Sequence, residues 1–430
     1  MKMRFQELLK RNQWLLPLVA GLSAFGLYSS MYAFRKSFAA GTYTGLKVAG
    51  FDYKTILVIA QVFGYMLSKF IGISVVSGMK ASKRTTTILV LMGVSWIALL
   101  GFAMVPPPYN IVFLFVNGLP LGMIWGLVFS FLEGRKSTEL MAAIMASSIV
   151  FASGFVKSTG RTLLKVAHIK EFWMPFVTGL IFILPLCLFL YILSIIPPPD
   201  ASDIAARSRR KPMTASDRLN IVREYWPGLA LICFTYLMLT VVVSIRDNFE
   251  VEIWTGLGYA NHPEIYTAID LPVSAAVLVA MAAMIKVKNN LRAFMYIHCM
   301  VFFGCLLVLT STLLWLNHLL PPVPWMTCAA LGVYLAYIPY NSIFFERMIA
   351  SFKLVGNVGF VMYLADSMGY FGSVGVLIFR QLGNADLSWL SFFSSSLITI
   401  SSVGCVTVLL SAGYFTNKYN ISKRSVLTYE

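Results

Sequence analysis

Charge is what this sequence has least of. Only 12% of its 430 residues are Asp, Glu, Lys or Arg, about half of the roughly 25% usual in soluble domains. A chain this poor in charge cannot cover a water-facing surface, and no second, soluble domain fits along it. Acids are the scarcer sign, 18 against 34 Lys and Arg. The four histidines (His168, His262, His298, His318) are scattered, and there is no H-E-x-x-H, nucleophile elbow or P-loop. An integral enzyme acting on lipid phosphates would show acidic metal-binding clusters, and none is evident. No metal, no cofactor and no enzymatic activity are therefore expected. All six cysteines lie inside apolar runs without a C-x-x-C pair, where they serve as small buried hydrophobes rather than a disulfide framework. A cleavable signal peptide is not expected either, because the first apolar run is too long and has no small-residue cleavage site.

Hydrophobic sequence is abundant: 58% of residues, with a mean hydropathy of +0.76. Apolar runs recur at about the 20 residues a helix needs to cross a hydrocarbon core about 30 Å thick. They fall near 14–40, 53–77, 85–105, 109–133, 139–161, 171–196, 226–252, 264–286, 290–316, 324–346, 355–380 and 387–414. The expectation is an all-α integral membrane protein of about twelve transmembrane helices. The longest polar interruption, residues 197–225, is rich in Pro, Ser, Ala and charge, as a linker is. It separates a six-helix half at 1–196 from a second at 226–430 with its tail.

Lys and Arg crowd into alternate loops: "MKMRFQELLKR", "MKASKR", "EGRKSTE", the 197–225 stretch, "KVKNNLR", the region of Arg347 and Lys353, and the tail. The positive-inside rule then places both termini and all these loops in the cytoplasm. The opposite loop "GRTLLKVAHIK" is itself basic, so the bias is an excess and not an absolute. Setting topology accounts for most of the +16 net charge; the "RSRRK" at 207–211 could also touch lipid headgroups. No nucleic-acid partner is called for, and the chain is expected to act as a monomer in a bilayer.

Transporter folds are often built from repeats that survive only as weak sequence symmetry. The first helix of each half shows one. "QWLLPLVAGLSAFGLYSSMYAFRKSF" and "YWPGLALICFTYLMLTVVVSIRDNF" both carry a Trp followed about twenty residues later by Arg (Arg35, Arg246) and, three further, by Phe (Phe38, Phe249). An arginine near a helix end can snorkel to the interface. The first helix can continue past Arg35 through "KSFAAGTYTG", which would leave Arg35 deep. Lys69, with about fifteen mostly apolar residues before it and about eight after in "DYKTILVIAQVFGYMLSKFIGISVVSG", has neither end close. A cation at that depth costs about 2.5–3.5 kcal/mol on insertion scales and normally faces a cavity or a partner. Against these three cations stand Asp366 in "VMYLADSMGYFG", Asp270 nearer a helix end, and Asp247 directly after Arg246. The expected positive surplus points to a bound anion, and Arg geometry suits phosphate or carboxylate. Lys36, one residue on from Arg35 and about 100° around the helix, faces the outer interface or an acidic neighbour.

"YAFRKSF" and "YMLSKF" together resemble the Y-x-x-R-K-x-F and Y-x-x-S-K-F patterns of the organophosphate:phosphate antiporters of the major facilitator superfamily, the bacterial glycerol-phosphate and hexose-phosphate transporters among them. The resemblance implies the major facilitator fold, a bacterial inner membrane, and a phosphate-containing substrate. It makes Arg35 and Arg246 a symmetric pair on the phosphate and Lys69 a third cation. The motif match covers about fifty residues of the first half. Two departures mark a divergent member: "ELMAAIMASSIVFASGFVKS" lacks the fifth-helix histidine but holds Ser147, Ser148 and Lys157, and "SGMKASKR" keeps the loop's bases without its Asp.

Other polar residues could line a cavity or simply pack. Tyr334, Tyr337 and Asn341 share one helical face by spacing; Tyr28, Tyr32 and Tyr65 lie within a turn or two of Arg35 and Lys69. Small residues at 369–375 permit close helix crossing. The expected mechanism is exchange of a phosphate ester for phosphate by alternating access, since an empty cation cluster disfavours closure and a bound anion relieves it. A proton-coupled symporter of another organic anion would use Asp366 as its titrating group. A sugar-phosphate receptor built like a transporter would share every binding feature.

Overall fold

The computed structural model describes residues 6, 7, 9, 14–77, 79–200, 203, 215–352, 358–383 and 387–427. Residues 201, 202 and 204–214 of the 197–225 stretch, "RSRRK" included, and Lys353 lie outside them. In lipid every backbone polar group must be satisfied internally, so long apolar runs become helices. They do so here as α1 (Leu15–Lys36), α2 (Tyr53–Ser77), α3 (Arg84–Met104), α4 (Ile111–Leu121), α5 (Ile124–Leu132), α6 (Thr138–Lys165), α7 (Met174–Ile195), α8 (Ala215–Gly256), α9 (Ile265–Ile285), α10 (Asn290–Leu316), α11 (Pro322–Tyr337), α12 (Phe344–Ser351), α13 (Val358–Gly383) and α14 (Trp389–Leu427).

Among the described residues ten helical segments are long and apolar enough to cross a membrane, with α4 and α5 counted as one segment. Pro120 lies just before the break between them. An eleventh appears if α11 and α12, bent by 50° at a short break, form one span. α13 occupies the place of the span expected at 355–380. Large apolar side chains such as Leu184, Val279 and Phe371 stand exposed along the helices, a surface suited to lipid rather than water. The chain is an all-α integral membrane protein.

Two local features differ from a run of simple spans. The first helix does not continue through "KSFAAGTYTG": it gives way at Ser37 to a 3-10 turn ending at Ala40, and Gly41 is extended. A small antiparallel hairpin follows, pairing Lys47 with Asp52 and Val48 with Phe51. Its two-residue turn has positive φ at both Ala49 and Gly50, as a type I′ turn demands. Asp52 then caps α2, accepting from the Thr55 amide at 3.2 Å and its hydroxyl at 2.9 Å. The second feature is a kink in α8, where Phe249 leaves helical geometry (φ −121°, ψ 17°).

The chain groups into two compact units. The first comprises Met1–Arg207, Arg246–Leu278 and Val374–Leu390, and the second Ser208–Ile245, Val279–Ser373 and Ser391–Glu430. In the first, α1 packs on α6 and α7, and α4 on α2 and α3. In the second, α10 packs on α11 and α12. The small-residue stretch of α13 lies against α8 there: a Cβ on Gly369 would come within 2.7 Å of the Thr240 hydroxyl, and one on Gly372 within 2.8 Å of Leu237. Glycine at these positions permits the close crossing.

Candidate functional site

In the first unit, α1 and α2 bring two cations to one aromatic ring. The Arg35 guanidinium lies 3.7 Å from the centre of the Tyr65 ring and 5.7 Å from that of Tyr32. The Lys69 ammonium lies 5.4 Å from the same Tyr65 ring. Arg35 is 6% exposed, and Tyr28, Tyr32 and Tyr65 are buried. Tyr28 stands edge-on to both Tyr32 and Trp125. The backbone behind Arg35 is held by side-chain amides: Gln61 donates to the Arg35 carbonyl and to Asn117, and Asn117 donates to Phe34 and Ser95. Polar groups from α2, α3 and α4 thus fix the carbonyl end of α1.

Arg246, its expected partner, is in the same unit but in a different setting. It forms ion pairs with Asp270 of α9 and, at 2.9 Å, with Glu250 one turn on in α8. Glu250 also accepts from Lys157 of α6 at 2.6 Å. Lys157 donates to Ser153 at 2.7 Å, and Ser153 to Asp247 at 2.7 Å. Lys36, 3% exposed, turns to neither lipid nor water and donates to Asn248 at 2.7 Å. Lys54, in the first turn of α2, pairs with Glu252 at 2.6 Å and donates to the Ala39 carbonyl at 2.9 Å. The segment "RDNFEVE", 246–252, therefore carries an unbroken set of charged and amide contacts to α1, α2, α6 and α9. Gly154 permits the closest of these approaches. A Cβ there would overlap the Tyr266 carbonyl and come within 2.7 Å of Asp270 Oδ2. Beside the network, Phe249 stacks on Trp389 at 3.4 Å, and the Arg380 guanidinium lies 3.7 Å from the Trp389 ring centre.

In the second unit, Tyr337, Asn341 and Asp366 come together around a residue the sequence pattern did not single out. The Tyr236 hydroxyl bonds the Asp366 carboxylate and reaches Asn341 Oδ1 at 3.0 Å, and its ring stacks on Tyr337 at 5.4 Å and 12°. Tyr334, on the same stretch, is fully buried. Its expected face changes because α11 tightens to a 3-10 turn after Tyr337.

The largest omission from sequence is Glu250 and Glu252. They stand at the last positions of the 226–252 run, where acids pass for interfacial residues, yet Glu250 is fully buried. Counting them reduces the expected positive surplus. The i, i+4 spacing of Arg246 and Glu250 and the alternation of acids in "RDNFEVE" were the available signals. Lys54 gave none, since it looks like the first residue after a loop.

Solved structures similar to this chain include three transporters. A D-xylose-proton symporter aligns over 92% of this chain and 96% of its own, with 11% identity and a TM-score of 0.58. A mutant of the nucleoside transporter NupG aligns over 93% and 100%, with 11% identity and a TM-score of 0.59. The major facilitator superfamily proton:xylose symporter XylE bound to 6-bromo-6-deoxy-D-glucose aligns over 92% and 94%, with 13% identity and a TM-score of 0.59. The fold is that of the major facilitator superfamily. Residues 37–418 match the sequence family described as "Family of unknown function (DUF5690)", and the chain belongs to that family. No curated protein matches the chain in sequence.

Proposed function

We propose that the protein is a secondary transporter of an organic anion, moving a phosphate ester in exchange for phosphate by alternating access. It would sit in a cell membrane, a bacterial inner membrane by the motif resemblance, with both termini cytoplasmic. The observation that carries this reading is the convergence of Arg35 and Lys69 on Tyr65, since two like charges brought to one ring make a positive locus that an anion can occupy. Arg35 offers a planar fork matched to phosphate or carboxylate oxygens, and Lys69 a point charge. Tyr28, Tyr32 and Tyr65 supply hydroxyls and ring faces. Arg246 joins the anion when Asp270 releases it, with Glu250 still beside it. In the second unit, Asp366 is assigned to coupling or charge balance, with Tyr337 and Asn341 as its polar neighbours. A solute of this size needs no cofactor, and the transporter acts as a monomer.

The test is counterflow. Proteoliposomes loaded with phosphate should take up labelled glycerol phosphate or hexose phosphate, and Arg35→Ala or Lys69→Ala should abolish it. Binding without exchange would make the protein a receptor. Loss of neither binding nor exchange in both variants would end the proposal. A second reading, proton-coupled symport of an organic anion, is favoured by the buried carboxylates around Arg246 and by the proton symporters among the similar structures. Uptake driven by an imposed proton gradient without internal phosphate would establish it.

A further inference from the structure

Asp270 is a carboxylate with half of its bonding capacity unused. One oxygen, Oδ1, accepts from Arg246. The other, Oδ2, is buried and has no hydrogen-bond partner among the described residues. The space beside Oδ2 exists because position 154 is glycine: a single added Cβ would come within 2.7 Å of that oxygen. A buried charged oxygen without a donor is costly, and protonation removes the charge that makes it so.

We propose that Asp270 Oδ2 is a proton-binding site and that its protonation releases Arg246 for the substrate anion, so that anion binding takes up a proton. This rests on the transport reading above and names its coupling. The proton comes from water and stays on the Asp270 carboxyl, which becomes neutral. The Arg246 N–H donors that faced Oδ1 then pass to an oxygen of the anion. One negative charge leaves Arg246 as another arrives, so the guanidinium is never left without a counter-charge in the interior.

Asp270, and not Glu250, is the acceptor because of what surrounds each. Glu250 Oε1 also lacks a hydrogen-bond partner among the described residues, but it lies 2.9 Å from Arg246 and the other Glu250 oxygen 2.6 Å from Lys157, so each of its oxygens faces a cation. Among the described residues Asp270 forms its ion pair with Arg246, through Oδ1 only, and Glu250, a like charge, sits on the same guanidinium. Two carboxylates on one cation favour a proton on the less supported one. The elements packed around Asp270 add Lys157, Ser153 and Ser158 from α6, Tyr266 from its own helix, and Asp247 from α8 through Ser153. Arg161 of α6 donates to the Ala260 carbonyl at 3.0 Å.

The experiment counts protons. Purified full-length protein in detergent is titrated with glycerol 3-phosphate near pH 8, in two buffers of different ionisation enthalpy. Wild type should take up about one proton per anion bound beyond the phosphate's own exchange. Its affinity should tighten by about tenfold per pH unit lowered through the titrating range, the slope that one linked proton imposes. Asp270→Asn should abolish the uptake and flatten the pH profile, and Glu264→Gln, an exposed loop acid, should change neither. Anion binding by wild type with no proton uptake overturns the inference and leaves the transport reading intact. So does uptake that persists in Asp270→Asn, or that is lost only in Asp366→Asn. If no phosphate compound binds wild type, the transport reading fails and the linkage falls with it. Should Asp270→Asn not fold, the wild-type proton count decides alone.

Discussion

Glu250 shows how far a single buried residue can be committed. It holds Lys157 and Arg246 together, and removing one partner of a buried pair costs about 3–5 kcal/mol because the other charges stay behind. Glu250→Gln should therefore lower the thermal unfolding midpoint in detergent sharply. The pair replacement Lys157→Met with Glu250→Leu should lower it less than Glu250→Gln alone. Tyr65 makes a different prediction at the same scale. Its ring faces both Arg35 and Lys69, contacts of about 0.5–2 kcal/mol each. Tyr65→Leu should weaken anion binding by about two- to thirtyfold, read by titration, while Tyr65→Phe keeps most of the affinity. At this scale the sequence was most legible where a charge was isolated. Lys69 and Arg35 stand out in apolar text, and so does Asp366. Glu252 and Lys54 do not, because each sits at the edge of a run where charge is ordinary, and only the hairpin at 47–52 and the kink at Phe249 bring them together.

Elements were legible by length and apolar content, and their irregularities were not. Nothing in "SIRDNFEVE" announces a break, since it holds no Pro or Gly. The kink at Phe249 coincides with the stack of that ring on Trp389, a residue 140 positions away in the chain. The end of α1 at Lys36 likewise follows from packing rather than propensity, as Ser37–Ala40 tightens to a 3-10 turn. The start of α2 is set by a cap that can be tested. Asp52→Ala removes the acceptor of the Thr55 amide, a loss of about 1 kcal/mol. It should raise hydrogen exchange in the first turn of α2, Lys54 included, and leave exchange in α4 unchanged.

For the whole molecule, the recurrence of apolar runs and the alternation of basic loops are consequences of the bilayer, which is why they can be read one-dimensionally. The orientation that follows from them is testable with single cysteines on a background with Cys187, Cys233, Cys299, Cys305, Cys328 and Cys405 replaced. Thr44→Cys, in the exposed loop before the hairpin, should react with an impermeant maleimide in intact cells. Ser82→Cys should react only after the cells are opened. The reverse pattern would invert the topology. By itself, then, the sequence determined that the chain is helical and that it lives in lipid, and it singled out Arg35 and Lys69 as candidates, because hydropathy and the cost of an isolated charge are local properties. Which carboxylate answers which cation was decided only by tertiary structure. Glu250, Glu252, Asp270 and Lys157 lie on helices far apart in sequence, and the partner of a buried charge is whatever the packing brings within reach. "RDNFEVE", which reads as the frayed end of a span, became through that packing part of a buried charge network.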